Sequence, residues 1–169
     1  NRMPAMTHRT PGLAGAVLAR EDVTAELICD GHHVHPGMCR VAIAAKGPHG
    51  IIAITDGTAA AGLGPGGTAR LGGRRIHVGA GTAVLDDGTV AGSTLTMDHA
   101  FRMIVTGLGQ SLVDAAAMCS TAPARALGLR GAGVLSEGAM ADVVLLNRDL
   151  HVVATFIDGC EAYRDGGTA

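Results

Sequence analysis

Short apolar runs bounded by turn-forming residues set the pattern of the first third of the chain. The runs at 24–31 and 50–55 are rich in aliphatic residues and too short for helices, so each predicts a buried strand. Between them, residues 36–50 have the spacing of a helix that begins near Pro36. The expected core-facing side of this helix comprises Met38, Val41, Ala42 and Ala45. A strand, helix, strand order predicts a parallel pair with a right-handed crossover.

The pattern changes to period-two alternation over residues 68–90. Gly-Gly and Asp-Gly turns interrupt this alternation, which predicts antiparallel hairpins inserted after the second parallel strand. Amphipathic helices are expected at 94–109 and 111–129, where apolar residues recur at helical spacing. Ser111 and Asp114 form the capping pattern that opens the second of these helices.

Strand-like runs at 142–147 and 151–157 predict a small antiparallel β module at the end of the α/β unit. The parallel part of the prediction is incomplete by itself. Two parallel strands cannot bury both of their faces, because an all-parallel sheet needs helices or barrel closure on either side. We therefore expect further strands from sequence outside these 169 residues, and we expect the chain to begin mid-protein.

Charge and cysteine usage exclude several classes of function. The net charge is −2, with 13 basic and 15 acidic residues well mixed, so no basic face for nucleic acid or an acidic membrane is expected. The four cysteines are widely separated and form no C-x-x-C pair, which argues against a zinc knuckle or a disulfide framework. No apolar run reaches the roughly 18–20 residues that span a bilayer. A cytoplasmic location is the expectation.

Three histidines, His32, His33 and His35, crowd the sequence "DGHHVHPG" directly after the first predicted strand. Each taken alone is best explained as a solvent-facing residue or a backbone cap. Sites of α/β proteins are nevertheless built at the carboxyl ends of parallel strands, so at least one of the three is expected to be functional. As a metal pair, His-x-His is a weak match without a third ligand.

Asp56 follows the second predicted strand, in "IIAITDGTAAAGLG". As a structural residue it could cap the turn that follows. The two strands, however, would present ionisable groups at the same rim. That geometry suits a carboxylate that takes a proton from a metal-bound water, so a chemical role is the expectation.

Two further segments have interpretations that local sequence leaves open. Arg9 lies in a loop that leads into a predicted helix, where a solvated surface arginine is the default. The sequence "VAGST" at 90–94 is expected to be a glycine turn with free N–H groups and a hydroxyl that could hold a sugar or phosphate oxygen. An ordinary turn before a helix explains it equally well.

With these motifs in order, the chain resembles the N-acetylglucosamine-6-phosphate deacetylases, a family of the amidohydrolase superfamily. The resemblance runs from end to end, through "NRMPAMTHRTPGLAGAVL", "DGHHVHPG", "ITDGTAAAG", "GTVAGSTLTMDHAFRMIV", "STAPARALGL", "GVLSEGAMADVVLLN" and "FIDGCEAY". It implies a (β/α)8 barrel joined to a small β-sandwich. Residues 1–130 would be the C-terminal part of the barrel, with a hairpin insertion at about 68–90, and residues 131–169 would be strands of the sandwich.

The resemblance also implies roles for single residues. Asp56 would be the catalytic carboxylate, and Arg9 would bind the substrate phosphate near or across a dimer interface. The other residues matched to substrate binding are Asn1, Arg2, His33, Ala91, Gly92 and Ser93. The family's divalent metal, expected to be zinc, is held by a Glu and two His, which would lie upstream of Asn1.

The implied reaction converts N-acetylglucosamine 6-phosphate to acetate and glucosamine 6-phosphate in a homodimer. Arg2 stands where the family more often has Ala, and His32 stands where it more often has an aliphatic residue; both changes bear on how the phosphate is gripped. Two alternatives stay open: another amidohydrolase, dihydroorotase-like or deaminase-like, and a truncated, non-catalytic chain. Without metal ligands, the segment alone is expected to be inactive and poorly soluble.

Overall fold

A computed structural model describes residues 3–79 and 81–166 of the chain. The helices are Gly12–Ala19 (α1), Pro36–Lys46 (α2), Met97–Arg102 (α3), Leu112–Ala116 (α4) and Ala122–Ala126 (α5). Widened, π-helical turns at Met103–Gly107 and Ala117–Thr121 continue α3 and α4. The strands are Ala25–Ile28 (β1), Ile51–Ile54 (β2), Thr68–Leu71 (β3), Arg74–Val78 (β4), Thr82–Leu85 (β5), Val90–Ser93 (β6), Val143–Leu146 (β7), Val152–Ile157 (β8) and Cys160–Arg164 (β9).

Strands β1 and β2 form the predicted parallel pair, with Ile28 opposite Ile54 at its carboxyl end. Side chains alternate along the pair. Those on one face lie in the larger core, which comprises Leu27, Cys29, Cys39, Ile43, Ile51, Ala53, Ile104, Leu108, Ala115 and Met118. The other face, which carries Ile28, Ile52 and Ile54, is only half-buried. One face of the pair is thus covered by helices, as a parallel sheet requires, and the other is not.

Helix α2 is where expected, but of the four residues predicted for its core-facing side only Ala42 packs against the larger core. Met38 and Val41 are exposed, whereas Cys39 and Ile43 are buried against the strands. Apolar residues occur on both sides of this helix, so periodicity in the sequence favours neither. Packing against β1 and β2 selects the side that carries Cys39 and Ile43.

Strands β3 to β6 form a four-stranded antiparallel sheet in sequential order, which confirms the predicted hairpins. The inward residues Ile76, Val78, Ala83, Leu85 and Ala91 of this sheet form a second core together with Ala60, which lies in the turn after β2. The expectation of a glycine turn at 90–94 is wrong, because Val90–Ser93 is the last strand of this sheet. The segment therefore supplies pairing edges and not a loop of free N–H groups.

The remaining expectations for secondary structure are confirmed. Ser111 accepts a hydrogen bond from the backbone N–H of Asp114 and so caps α4. Strands β7, β8 and β9 form a three-stranded antiparallel sheet. Within the described residues, no helix has the length and apolar character needed to cross a membrane.

The chain has a large accessible surface, and several large apolar side chains are exposed. Its accessible surface is 10398 Å², whereas a compact monomer of 16.9 kDa has about 7,700 Å². Val113, Leu127 and Leu135 are each more than 70% exposed. The α/β class is confirmed. The barrel and sandwich assignments, and the boundary between residues 130 and 131, stay predictions.

Candidate functional site

Ser93, at the end of β6, connects the carboxyl ends of the two parallel strands. Its backbone N–H donates to the carbonyl oxygen of Asp56 at 3.0 Å. Ser93 also pairs with Gly57 in an isolated parallel bridge. Its hydroxyl donates to Asp30 Oδ2 at 2.8 Å. Asp30 and Asp56 each follow their strand by two residues, beyond the paired Ile28 and Ile54. One buried serine thus fixes both strand ends at a common rim.

The Asp30 carboxylate is the centre of this rim. Oδ1 accepts the backbone N–H groups of His32 and His33, both at 2.9 Å. Oδ2 lies 2.6 Å from His33 Nδ1 and also accepts the Ser93 hydroxyl. The Asp30 side chain is only 3% exposed. A buried carboxylate needs such donors, because removing its charge from water is otherwise costly.

These contacts determine the charge of Asp30. Burial by itself acts to raise its pKa. Hydrogen bonds from the N–H groups of His33 and His32, from the Ser93 hydroxyl and from the His33 ring outweigh burial, so the pKa of Asp30 is lowered. Asp30 is therefore ionised at neutral pH and presents a fixed negative charge to His33.

His33 is buried together with this carboxylate. Its side chain is 1% exposed, and Nδ1 makes the contact with Asp30. Within the part of the chain that the structure describes, the other ring nitrogen, Nε2, is buried and has no hydrogen-bond partner. Buried polar atoms are normally paired, so this nitrogen marks His33 as the residue of the histidine cluster with a function still to be explained.

The other two histidines of the cluster have structural positions. His35 is the N-cap of α2, and its Nδ1 accepts the N–H of Gly37 at 3.1 Å. His32 is exposed, and its ring lies against Gly81, where an added Cβ atom would come within 2.3 Å of Nε2. The capping bond gives His35 a structural role. No capping bond of this kind explains His33.

Asp56 is exposed at the end of β2 and has a left-handed backbone, with φ of 50°. Among residues 3–79 and 81–166, its carboxylate makes no hydrogen bond or ion pair, and only its carbonyl oxygen is bonded, to Ser93. A non-glycine residue in this conformation costs about 1–3 kcal/mol, and such residues cluster at functional sites. The backbone of Asp56 is therefore strained and held by the hydrogen bond from Ser93, while the carboxylate oxygens have no partner among the described residues.

Gly92 allows β6 to approach the backbone that carries Asp56. Its φ is +87°, and a Cβ at this position would lie 2.9 Å from the Asp56 carbonyl oxygen and 2.3 Å from Thr58 Cγ2. Its neighbour Ala91 lies in the second core. The Ala91, Gly92, Ser93 segment thus positions the rim through its backbone and the Ser93 hydroxyl.

Replacing Gly92 with Ala is expected to destabilise the protein and displace Asp56. Gly88→Ala is the matched control, because Gly88 has a similar φ of +80° but open space around its Cβ position. The control should lose about 1–2 kcal/mol in the free energy of unfolding through left-handed strain. Gly92→Ala should lose a further ~1–3 kcal/mol through overpacking. Urea denaturation measures both, and equal losses would show that the contact with Asp56 is unimportant.

Arg9 is not among the described residues that contact Asp30, His33 or Asp56. Arg9 is exposed in the segment before α1, and within the described residues its side chain makes no hydrogen bond or ion pair. Asn1 and Arg2, predicted to bind substrate, lie outside the described residues. The substrate roles of all three stay predictions.

Among the residues that the structure describes, neither a metal-binding cluster nor one of the two cavities below marks the rim as a site. Within residues 3–79 and 81–166, no group of three or more His, Cys, Asp or Glu side chains could hold a metal ion. A cavity of about 400 Å³ lies beside Arg20 and Lys46, and another of about 390 Å³ lies beside Leu135 and Met140. Neither is lined by Asp30, His33 or Asp56, so side-chain geometry and not cavity volume identifies the site.

Asp30 is the residue of this site that sequence reasoning missed, because it marks no more than the end of a strand in the apolar pattern. A signal was present nevertheless. Asp30 and Asp56 occupy equivalent positions after two predicted parallel strands, and Asp30 precedes His33 by three residues. Asp side chains accept N–H groups two or three residues further on in such turns, which would have placed the carboxylate beside the histidine.

A buried carboxylate–histidine pair and a residue with an open carboxylate are both bonded to Ser93 at the carboxyl ends of parallel strands. This arrangement defines an α/β protein whose candidate site lies at that rim. The sequence agrees with this class. Residues 22–161 match the model of the Amidohydrolase family, and the chain belongs to that family.

Known proteins similar to the chain carry related names. A putative N-acetylgalactosamine-6-phosphate deacetylase of Escherichia coli K12 is 41% identical over 94% of this chain and 95% of its own length. The N-acetylglucosamine-6-phosphate deacetylase of Lysinibacillus sphaericus is 41% identical over 89% of this chain and 38% of its own length.

The fold is also similar to a solved structure. An aspartate-to-alanine mutant of the Mycobacterium smegmatis N-acetyl-D-glucosamine-6-phosphate deacetylase, crystallised with N-acetyl-D-glucosamine-6-phosphate, superposes with a TM-score of 0.87. It is 40% identical, over 95% of this chain and 43% of that one. The chain thus spans about two fifths of the Lysinibacillus and Mycobacterium proteins, and nearly all of the Escherichia coli relative.

Proposed function

We propose that this chain is part of a metal-dependent deacetylase of N-acetylated hexosamine 6-phosphates. The observation that carries the proposal is the rim at which Ser93 ties the buried Asp30–His33 pair to the open carboxylate of Asp56. Its support is the similarity, at about 40% identity, to proteins named as deacetylases of such sugars. The products would be acetate and the amino-sugar phosphate.

Amidohydrolases are generally metal-dependent, and the described residues of this chain do not form a metal site by themselves. We therefore propose zinc, held mainly by residues outside these 169, as the cofactor of the whole enzyme. A bound metal activates water and polarises the substrate carbonyl. The residues of this chain would supply the proton transfers and the contacts with the sugar phosphate.

Asp56 is proposed as the general base and then the general acid. Its open carboxylate would accept a proton from the attacking water as the water oxygen bonds to the acetamide carbon. It would then deliver that proton to the amide nitrogen as the C–N bond breaks, so that acetic acid and the amine form. The second proton of the water then passes from the acid to the amine, which gives acetate and the protonated amine. The tie from Ser93 to the Asp56 carbonyl oxygen limits how far this backbone can move during both transfers.

The remaining residues would hold the sugar phosphate. His33 would contact the sugar through Nε2, the ring nitrogen that no described residue hydrogen-bonds. Arg9 would bind the phosphate, because a guanidinium offers paired N–H donors to phosphate oxygens. We place Asn1, Arg2 and the Ala91, Gly92, Ser93 segment in the same substrate-binding set.

The hexosamine itself has two candidates. N-acetylglucosamine 6-phosphate is the first, as the resemblance of the sequence implies. N-acetylgalactosamine 6-phosphate is the second, because the Escherichia coli relative that matches over nearly its whole length carries that name. The two sugars differ only in the configuration of one hydroxyl group, and both would use the same base and the same phosphate contact.

The proposal extends to the architecture of the whole protein. The half-buried face of β1 and β2 and the exposed apolar surface support a (β/α)8 barrel completed by chain outside these residues. The β7, β8 and β9 sheet would then belong to a small β-sandwich. We further propose a cytoplasmic homodimer in which Arg9 lies near or across the interface.

Acetate release tests the function. The longest natural polypeptide that contains these residues should release acetate from at least one of the two sugar phosphates, and activity should disappear with EDTA and return with zinc. Dihydroorotate and amino-purines serve as substrates of the rival amidohydrolases. Turnover of those compounds alone would overturn the proposal.

The 169-residue chain expressed alone is the second sample. It should release no acetate, since the metal ligands are proposed to lie elsewhere. Intact mass and size-exclusion chromatography establish which polypeptide is present in each sample. A compact, monodisperse product of 169 residues that is the natural polypeptide would favour the non-catalytic alternative.

A further inference from the structure

Asp30 takes no proton and makes no substrate contact in the proposed deacetylation, yet it is the most heavily bonded side chain at the rim. Four donors converge on its two oxygens: the N–H groups of His32 and His33, the Ser93 hydroxyl and the His33 ring. A carboxylate has about four lone-pair directions, so Asp30 is saturated. It cannot bind a substrate or take up a proton without losing one of these contacts.

The direction of each hydrogen bond follows from this arrangement. Ser93 Oγ accepts the N–H of Leu95 at 3.0 Å, so its hydroxyl proton is free to donate to Asp30. The His33 Nδ1 atom lies 2.6 Å from Oδ2 of the ionised carboxylate. An unprotonated Nδ1 would place two lone pairs against each other at this distance. Nδ1 therefore carries a hydrogen atom that it donates to Asp30.

The surroundings of the other ring nitrogen, Nε2, decide whether it carries a hydrogen atom. A hydrogen atom on Nε2 would make the ring a cation with an unpaired donor in a buried position, whereas a bare Nε2 is only an unpaired neutral acceptor. Burying an unpaired charged donor costs more than burying a neutral acceptor. The buried, unpartnered Nε2 thus offers a lone pair to a hydrogen-bond donor from outside the described residues.

We propose that Asp30 is a positioning residue that holds His33 as the Nδ1–H tautomer, so that Nε2 accepts a hydrogen bond from a hydroxyl or amide N–H group of the ligand. The inference rests on the proposed function only for the identity of the ligand, an N-acetylated sugar phosphate whose hydroxyl and acetamide groups supply such donors. It makes the Asp30–His33 pair a determinant of which substrate groups are recognised. A ligand that offers only an acceptor at this position would bind weakly.

Asp30→Asn in the full-length enzyme is the decisive variant. The amide oxygen of Asn can still accept the two backbone N–H groups, but its NH2 group donates toward Nδ1 and so favours the Nε2–H tautomer. A wrong tautomer of this kind lowers turnover while leaving geometry intact. We expect kcat to fall about 10- to 100-fold, as for other residues that orient a site ligand, with a folded protein.

The tautomer is read by two-dimensional ¹H–¹⁵N NMR of the histidine rings. His33 should show Nδ1–H in the wild type and Nε2–H in Asp30→Asn. Adding glucosamine 6-phosphate should shift the Nε2 resonance of the wild type. A purely structural role of Asp30 would not exchange the tautomer.

Asp86→Asn is the matched control. Asp86 directly follows β5 and pairs with His77 of β4 at the same 2.6 Å, but in an exposed position. It should leave kcat and the tautomer of His33 unchanged. Nε2–H on His33 in the wild type would overturn the inference even if Asp30→Asn failed to fold. A folded Asp30→Asn with full kcat would overturn it too. A wild type that deacetylates no sugar phosphate would instead sink the proposed function, and the tautomer measurement would still decide the role of Asp30.

Discussion

Asp56→Asn is expected to reduce kcat for sugar-phosphate deacetylation by about 10²- to 10⁴-fold, the range that a positioned general base contributes. The amide oxygen of Asn occupies nearly the same space but cannot take a proton from water. Substrate binding should change little, because the proposed phosphate and sugar contacts are elsewhere. Steady-state kinetics with an acetate-coupled assay gives kcat and KM separately, and the loss should appear in kcat.

The backbone conformation at Asp56 allows Asn to replace Asp without a change in the fold. Asn tolerates the left-handed region as well as Asp, so Asp56→Asn should keep its thermal midpoint. Asp158 is a matched control, since it also has φ of 50° and follows a strand, β8, in a different sheet. Asp158→Asn should retain full kcat. If Asp56→Asn also retained full kcat, the carboxylate would not be the base and the open rim would have another role.

Arg9→Ala is expected to lower kcat/KM for the phosphorylated sugar by about 10²- to 10³-fold, the loss that follows when one partner of a charge-assisted contact is removed. The same variant should act on the unphosphorylated N-acetyl sugar as the wild type does. The ratio of the two kcat/KM values therefore isolates the phosphate contact from any general loss of structure. Equal effects on both sugars would remove the main support for a sugar-phosphate substrate.

Two further variants sharpen this measurement. Arg9→Lys keeps the charge but loses the forked donor geometry, so it should recover only part of the discrimination. Arg148→Ala removes another exposed arginine, from the turn between β7 and β8, and should change neither ratio. Mixing Arg9→Ala chains with Asp56→Asn chains tests the proposed dimer. Recovered activity would support an Arg9 that reaches into the partner's site.

The order and type of the elements could be predicted because they depend on local rules. Strand length, Gly-Gly and Asp-Gly turns and the Ser111 cap each act within a few residues, and the parallel pair, the hairpins and the helices all lie where the pattern placed them. The resemblance of ordered motifs likewise predicted the family. The candidate site was predicted in part. Asp56 was selected by its position after a strand, and the same rule selected the histidine cluster, from which the resemblance chose His33.

Other features lay beyond the sequence because they depend on contacts between distant residues. Helix α2 has apolar residues on both sides, and only packing against β1 and β2 chose Cys39 and Ile43 over Met38 and Val41. The 90–94 segment is a strand because β5 supplies its pairing edge. The local spacing of apolar residues predicts neither the buried side of α2 nor the strand at 90–94.

The sequence by itself determined most of the elements, their order and the family, since propensity, turn chemistry and motif order act over short distances. Only the tertiary structure decided which polar groups meet. Ser93 is 63 residues from Asp30, and their hydrogen bond is what places the Asp30–His33 pair beside the strand end that carries Asp56. A hydrogen bond has a range of about 3 Å, so its partners are fixed by the folded backbone and not by their spacing along the chain.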